Sequence, residues 1–220
     1  MLSRLELLVD LLHSAAEASL ATLSVAVPGY PFASMVPFVT DEHHCPLFLI
    51  SSLAEHTKNL LANQKASLLI ARSLGDGEMA RVSLVGDIKP IAPAPLLVAR
   101  YLRYHPAAER FLQLGDFHFH RFVPVRVLTV GGFAKANWLD GQRLFDAPFF
   151  ALESEAKEIQ QSEGLLPPGI TLLGIDSYGA DLQTATGRQR IRFGAGPVLG
   201  EASMPSLMRE LEAFSQREKS

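Results

Sequence analysis

What most constrains this chain is the repeated return of short apolar runs, rich in branched and aromatic residues, each closed by a turn signal. Leu20–Val27 stops at Pro28-Gly29, and Phe32–Thr40 runs into the polar connection Asp41–Pro46. Leu47–Ser51 follows, then Ala66–Arg72 before Gly75-Asp76-Gly77, then Met79–Ile91 broken by Gly86. Phe117–Val123 and Arg126–Phe133 meet at Pro124. Strand-length runs with turn residues between them and few helices predict an antiparallel sheet curled into a small barrel. Pro37 inside the second run predicts an edge or a bulge, because proline donates nothing to a ladder.

Helical spacing is confined to a few places. Leu5, Leu8, Val9, Leu12, Ala15 and Ala16 predict a helix over 2–19 with Ser3 as its N-cap. Ser52-Leu-Ala-Glu55 reads as a capping box opening a helix to about Asn63, with Leu53, Thr57, Leu60 and Leu61 toward the core. Pro93–Tyr104 and Ala107–Leu114 read as short helices around His105-Pro106. Near 140–148 the texture changes. Phe149–Ser162 is a charged helix, Ile170–Asp176, Asp181–Thr184 and Arg188–Phe193 are strands, and Ser203-Met-Pro205 starts a last helix with Leu207, Leu211 and Phe214 on one face. The chain therefore reads as an α+β protein in two domains: a barrel over 1–145 and a small α+β domain over 146–220.

Composition removes several classes. Hydrophobic residues make up 48% of the 220 and charged residues 20%, which excludes a disordered tail protein. With 20 Lys+Arg against 23 Asp+Glu the net charge is -3, which argues against a general nucleic-acid binder. One cysteine, Cys45, excludes an intramolecular disulfide and fits a reducing cytosol. Arg4, Glu6, Asp10, His13 and Glu17 interrupt any signal-peptide core, and no run is long and apolar enough to span a bilayer. A cytoplasmic protein with no membrane partner is the expectation.

Standard catalytic signatures are missing: no G-x-S-x-G elbow, no G-x-x-x-x-G-K-[ST] loop and no H-E-x-x-H pair. The cluster Asp41-Glu-His-His-Cys45 holds metal-ligand types, but neighbours on a strand face opposite ways, so an exposed hairpin tip and no metal site is expected. His118 and His120 share a strand face and could ligate a metal or haem iron; packing at a sheet surface or subunit contact explains them more simply. The stretch LFLISSLAEHTKN, residues 47–59, is the most informative. A buried strand brings Ser51 and Ser52 to a helix start, where unpaired amides and the dipole attract a phosphate. Read from the residues alone, Ser52 and Glu55 simply cap a helix and His56 lies on the surface. Gly131-Gly132 lets a backbone approach something closely, and Trp138, just beyond, either fills a core or interface or offers a stacking platform to an aromatic cofactor.

The order of these segments resembles one family. ALATL, YPFASMVPF, LFLISSLAEHTKNLLANQKASLLIAR, RVSLVGDIKPI and HPAAERFLQLGDFHFHRFVPVRVLTVGGFAKANWL look like the FMN-binding split-barrel flavoproteins related to pyridoxamine 5′-phosphate oxidase, in particular their haem-iron utilisation branch. GITLLGIDSYGADLQTATGRQRIRF resembles the small C-terminal domain of that branch. The resemblance implies a six-stranded antiparallel split β-barrel and a homodimer with FMN at the subunit interface. It places the phosphate at Ser51, Ser52, His56, Thr57 and Asn59, a polar contact at Arg81, and Lys135 and Trp138 where the partner subunit approaches the flavin. It implies an FMN flavoprotein, an oxidoreductase on a small substrate the sequence does not identify. Ala54, Glu55 and His56 stand where the oxidase carries basic residues, so oxidation of pyridoxamine phosphate is not expected. The alternatives are a haem-binding or haem-utilisation protein and a cofactor-free dimeric binding module. The chain has no histidine after His120, so haem ligation by the C-terminal domain is not expected.

Overall fold

Ser3 opens the chain's first helix with a reciprocal cap: its backbone amide donates to Glu6 Oε2 at 2.7 Å, and the Glu6 amide donates to its hydroxyl at 3.2 Å. This computed structural model describes residues 3–75, 78–131, 136–194, 196–198 and 203–217. Its backbone divides into two units, Met1–Ala147 and Pro148–Ser220. No helix among the described residues is long and apolar enough to cross a membrane.

In the first unit, helix α1 (Arg4–Ser14) precedes strands β1 (Glu17–Leu23), β2 (Pro31–Pro37), β3 (Val39–Thr40) and β4 (Pro46–Ser51). Helix α2 (Glu55–Ala62) leads to β5 (Lys65–Gly75) and β6 (Glu78–Pro90). Helices α3 (Pro95–Tyr104) and α4 (Glu109–Leu112) precede the long β7 (Phe117–Val130), then β8 (Ala136–Asp140) and α5 (Gln142–Phe145). The strands form one antiparallel sheet in the order β2-β1-β5-β6-β7-β4-β3, with β8 also on β7. β7 is long enough to hold two partners along one edge, β4 at Phe117–Arg121 and β8 at Arg126–Val130. Leu8, Val9, Leu11 and Leu12 of α1 are buried, and Asp10 Oδ2 meets Arg72 of β5 at 2.6 Å.

Three expectations are corrected here. The helix over 2–19 ends at Ser14, because Glu17–Leu23 pairs with β2 along its whole length. The sheet has eight strands rather than six: Pro37 splits the run at 32–40 into β2 and the two-residue β3, and β8 adds another. Residues 117–130 form a single strand through Pro124. Opposite the proline, the register shifts between Val85 and Gly86, and a Cβ at Gly86 would overlap the Val123 carbonyl oxygen. Val85 pairs with Arg126 and Gly86 with Pro124, so Val125 is the extra residue and β7 is the strand that bulges. The glycine gives that backbone room beside a residue that cannot donate, and the bulge bends the sheet.

The second unit is a helix, a three-stranded meander and a helix. α6 (Leu152–Ser162) packs against β9 (Thr171–Asp176), followed by β10 (Gly179–Thr184), β11 (Gly187–Arg192) and α7 (Ser203–Arg217). Leu172, Ile175, Ala180, Leu182, Phe193, Leu207 and Leu211 form its core with Phe150 and Met204. The Phe214 side chain of the expected helix face lies outside the described residues. Arg190, 2% exposed, lies against Asp176 Oδ2 at 2.9 Å and Asp181 Oδ1 at 3.0 Å, and the two carboxylates hold its guanidinium charged despite burial.

Candidate functional site

A strand edge left open builds the site. β3 covers β4 only at Pro46 and Leu47, so the outer edge of Leu49–Ser51 has no strand beside it. The Leu49 amide donates instead to the Tyr101 hydroxyl at 3.3 Å. A cavity of about 570 Å³ opens there, between the end of β4, the start of α2, β2, and the segment from α3 through α4. Its walls are mostly apolar and aromatic. Met35, Ile50, Tyr101 and Tyr104 contribute, and Phe111 and Phe117 stack at 4.7 Å between ring centres. Among the described residues that line it there is no Asp, Glu, Lys or Arg, and the polar side chains are those of Ser51, His56, His105 and the two tyrosines.

His56 is the least satisfied of these. Its Nδ1 lies 3.1 Å from the Ser34 hydroxyl on β2, whereas Nε2 is buried with no hydrogen-bond partner. Burial, and secondarily His120, hold its pKa below 6.5, so the ring is neutral at pH 7. His105 Nε2 lies 3.1 Å from the Phe38 carbonyl oxygen, with its ring tilted against Tyr101. Burial also lowers the pKa of His120.

Two of the eight expected cofactor residues, Ser51 and His56, line this cavity. The Ser51 hydroxyl donates to the Asp116 carboxylate at 2.6 Å and accepts from the Leu53 amide at 3.1 Å. Ser52 donates its amide to the Asp116 carbonyl at 2.7 Å. These bonds draw 51–53 into a turn, so the expected cap does not form. The helix starts at Glu55 behind Ala54, and Leu53 and Leu61 are 73% and 76% exposed rather than core. Thr57 and Asn59 face inward. Asn59 is fully buried, accepting from the Val25 amide at 2.8 Å and donating to the Thr22 hydroxyl at 3.0 Å, so it ties α2 to β1 and the loop after it. Arg81 lies exposed on β6 between Ala71 and Val130, away from the cavity. Lys135 lies outside the described residues. Trp138 is 51% exposed on β8 beneath the Arg126 guanidinium, 5.3 Å from its ring centre, also away from the cavity.

Of the paired histidines, His118 is exposed and His120 buried, with His120 Nδ1 3.1 Å from the His118 carbonyl. The 41–45 segment is a buried turn rather than an exposed tip. Asp41 Oδ1 accepts from the His43 and Cys45 amides, and its other oxygen meets Arg121 Nε at 2.7 Å. That partner makes burial of the carboxylate tolerable, although burial still raises its pKa. Burial also pushes the Cys45 thiol up, away from thiolate chemistry. Ser34, Tyr101, Tyr104, Phe111, Asp116 and Phe117 went unnoticed as site residues, because five separate segments supply the cavity and no local spacing marks it.

The curled antiparallel sheet and its apolar cavity place the molecule among α+β proteins of split-barrel type. Residues 9–146 match the model of the family described as CREG, beta-barrel, and the chain belongs to that family. It is 41% identical over 137 residues to "Non-canonical heme oxygenase HOZ, chloroplastic" of Arabidopsis thaliana, across 61% of this chain and 42% of that relative. The chain thus spans less than half the length of the curated relative it matches. A protein of unknown function from Agrobacterium tumefaciens superposes over 98% of this chain and 97% of its own, with TM-score 0.72 and 23% identity. A heme binding protein from Mycobacterium smegmatis does so over 100% and 98%, with TM-score 0.63 and 24% identity. At those identities the two share the fold.

Proposed function

We propose that this protein binds haem in the cavity of its first unit and handles it as a homodimer. The observation that carries this reading is the fit between cavity and ligand: an apolar, aromatic-walled space holding a neutral imidazole with an unpartnered nitrogen. A relative named as a haem oxygenase, 41% identical over 137 residues, supports it. Bound haem would supply iron redox and oxygen chemistry, and oxygen-dependent breakdown of the ring is the activity the relative's name points to. The chain's own share is to exclude water with the walls and to offer the His56 nitrogen. FMN, with a flavin-dependent oxidoreductase activity, is the second reading, because Ser51 and His56 do line one cavity. Against it, a phosphate dianion would meet no lysine or arginine among the described lining residues, and it would meet the Asp116 carboxylate behind Ser51.

The test is to titrate the purified chain separately with hemin and FMN. A Soret band shifted from that of free hemin and saturating at one haem per chain is expected. Flavin binding without a haem complex would restore the FMN reading. Neither would favour the cofactor-free binding module.

The homodimer rests on a continuous row across the outward face of the sheet. Met35, Ser19, Leu69, Ser83, Leu128 and Trp138 are register neighbours on six successive strands. At about 4.8 Å between strands the row is roughly 24 Å wide. Met35, Leu69 and Trp138 are 63%, 42% and 51% exposed, which is unusual for large apolar side chains so aligned. Burying this face against a second copy would remove on the order of 2,000 Å² from water. Sedimentation should give a dimer at micromolar concentration and a monomer for Leu69→Glu with Trp138→Glu. A monomeric wild type would overturn the dimer.

A further inference from the structure

Seven histidines lie in this chain and none follows residue 120, so any histidine ligand to a bound iron comes from the first unit. Of the seven, His56 and His105 line the cavity. His105 commits Nε2 to the Phe38 carbonyl. His56 keeps Nε2 buried and hydrogen-bonded to nothing, while Nδ1 lies against the Ser34 hydroxyl.

The tautomer follows from accounting for both ring nitrogens. Were Nδ1 the acceptor from Ser34, Nε2 would carry a buried N–H with no acceptor, at a cost of about 1–3 kcal/mol. Orphaned buried N–H groups are rarer than under-satisfied acceptors. The favoured arrangement is therefore Nδ1–H donating to the Ser34 hydroxyl, with the lone pair left on Nε2. A hydrogen bond at one ring nitrogen, fixing the other as a lone-pair donor, is how proteins orient a metal-binding imidazole. Burial favours the neutral ring and so agrees with this. Coordination here breaks no hydrogen bond, because that nitrogen has none.

We propose that His56 Nε2 would ligate the iron of a haem held in this cavity, and that Ser34 is the positioning residue that fixes its tautomer. This rests on the haem reading above. It replaces a phosphate-contacting role for His56 with an iron-ligating one, and it sets aside His118 and His120, neither of which lines the cavity.

The experiment uses the full chain reconstituted with hemin, followed by absorption, electron paramagnetic resonance and resonance Raman spectroscopy. The wild type should show a Soret band and the iron–histidine stretch of a five-coordinate ferrous haem. His56→Gly should lose that stretch and bind hemin at least tenfold more weakly, and added imidazole should restore the ligated spectrum. Imidazole rescue separates ligand loss from misfolding, and an unchanged circular dichroism spectrum supports that separation. Ser34→Ala should keep the ligand but shift the iron–histidine stretch and weaken hemin about tenfold, in the range of outer partners of metal ligands. If His56→Gly retains the wild-type spectrum and His105→Ala loses it, the assignment is overturned while the haem reading stands. If the wild type forms no haem complex, both fall.

Discussion

Both units bury arginine–carboxylate pairs, Asp41 with Arg121 in the first and Arg190 with Asp176 and Asp181 in the second, and they differ in their histidines. The first gathers all seven histidines and leaves one of them, His56, with a buried nitrogen bonded to nothing beside an apolar cavity. The second has no histidine and places a charged side chain, Arg190, between two buried carboxylates on neighbouring strands. In a small sheet with a modest apolar core, an arginine that reaches Asp176 on β9 and Asp181 on β10 specifies which strands pair and in what register. At these two residues the contrast is between a ring nitrogen left unbonded beside a cavity and a guanidinium whose charge is balanced within its own sheet.

The sharpest way to break this comparison is Arg190→Met. It strands two buried carboxylates, and breaking a buried ion pair on one side costs about 3–5 kcal/mol. Hydrogen exchange should show the second unit opening while the protected strands β5 and β6 keep their rates. Equal loss of protection in both units would mean that they fold as one. Next in size is Asn59→Ala. It removes one buried and one half-buried hydrogen bond, and water can take the amide of the exposed Val25, for about 1–2 kcal/mol in the first unit alone. Per folded molecule, hemin affinity should not change. A selective loss of FMN binding instead would return Asn59 to a phosphate site.

Acid sharpens the comparison with a smaller effect. Burial lowers the pKa of both His56 and His120 from 6.5. The unfolded chain then binds more protons than the fold in the window from 6.5 down to the folded-state values. Their contribution to stability is complete above 6.5 and is lost as pH falls through that window. Denaturant midpoints measured from pH 7.5 to 5.5 should fall for the first unit and hold for the second, which has no histidine. A parallel fall in both would put the acid sensitivity elsewhere.

Much of the fold was legible because strand and turn chemistry are local. Pro28-Gly29, the period-two burial of Ala80, Val82, Leu84 and Ile88, and the Ser3 cap each act within a few residues. The misreadings came where a distant partner overrode a local signal. Ser52 and Glu55 have the spacing of a capping box, but Asp116, more than sixty residues on, holds 51–53 in a turn. Pro124 reads locally as a strand end, but β7 bulges at Val125 opposite Val85 and Gly86 and the strand continues. The site was legible only in part. His56 stood out by motif, but Ser34, which orients it, and the aromatic walls come from elements that spacing cannot bring together.

The smallest expected effect is at Tyr101, and it tests whether the open edge of β4 belongs to the cavity. Beyond Leu47 that edge has lost its strand, and the buried phenol oxygen stands in by accepting the Leu49 amide. Tyr101→Phe leaves the amide without that acceptor. Both residues line the cavity, so a water entering it can take the bond, and the cost should sit near the low end, about 1 kcal/mol. The variant also carries a pH signature. Burial pushes the Tyr101 pKa up to about 12 from 10, so between those values the unfolded chain has lost a proton that the fold retains. The wild-type contribution is therefore complete below pH 10 and is lost as pH rises toward 12. In Tyr101→Phe that part of the alkaline slope should vanish from the first unit, while the second unit's midpoint does not change. If the slope survives the substitution, Tyr101 is not its source. If the cost exceeds 3 kcal/mol, no water reaches Leu49, and the cavity ends short of the strand edge that Tyr101 completes.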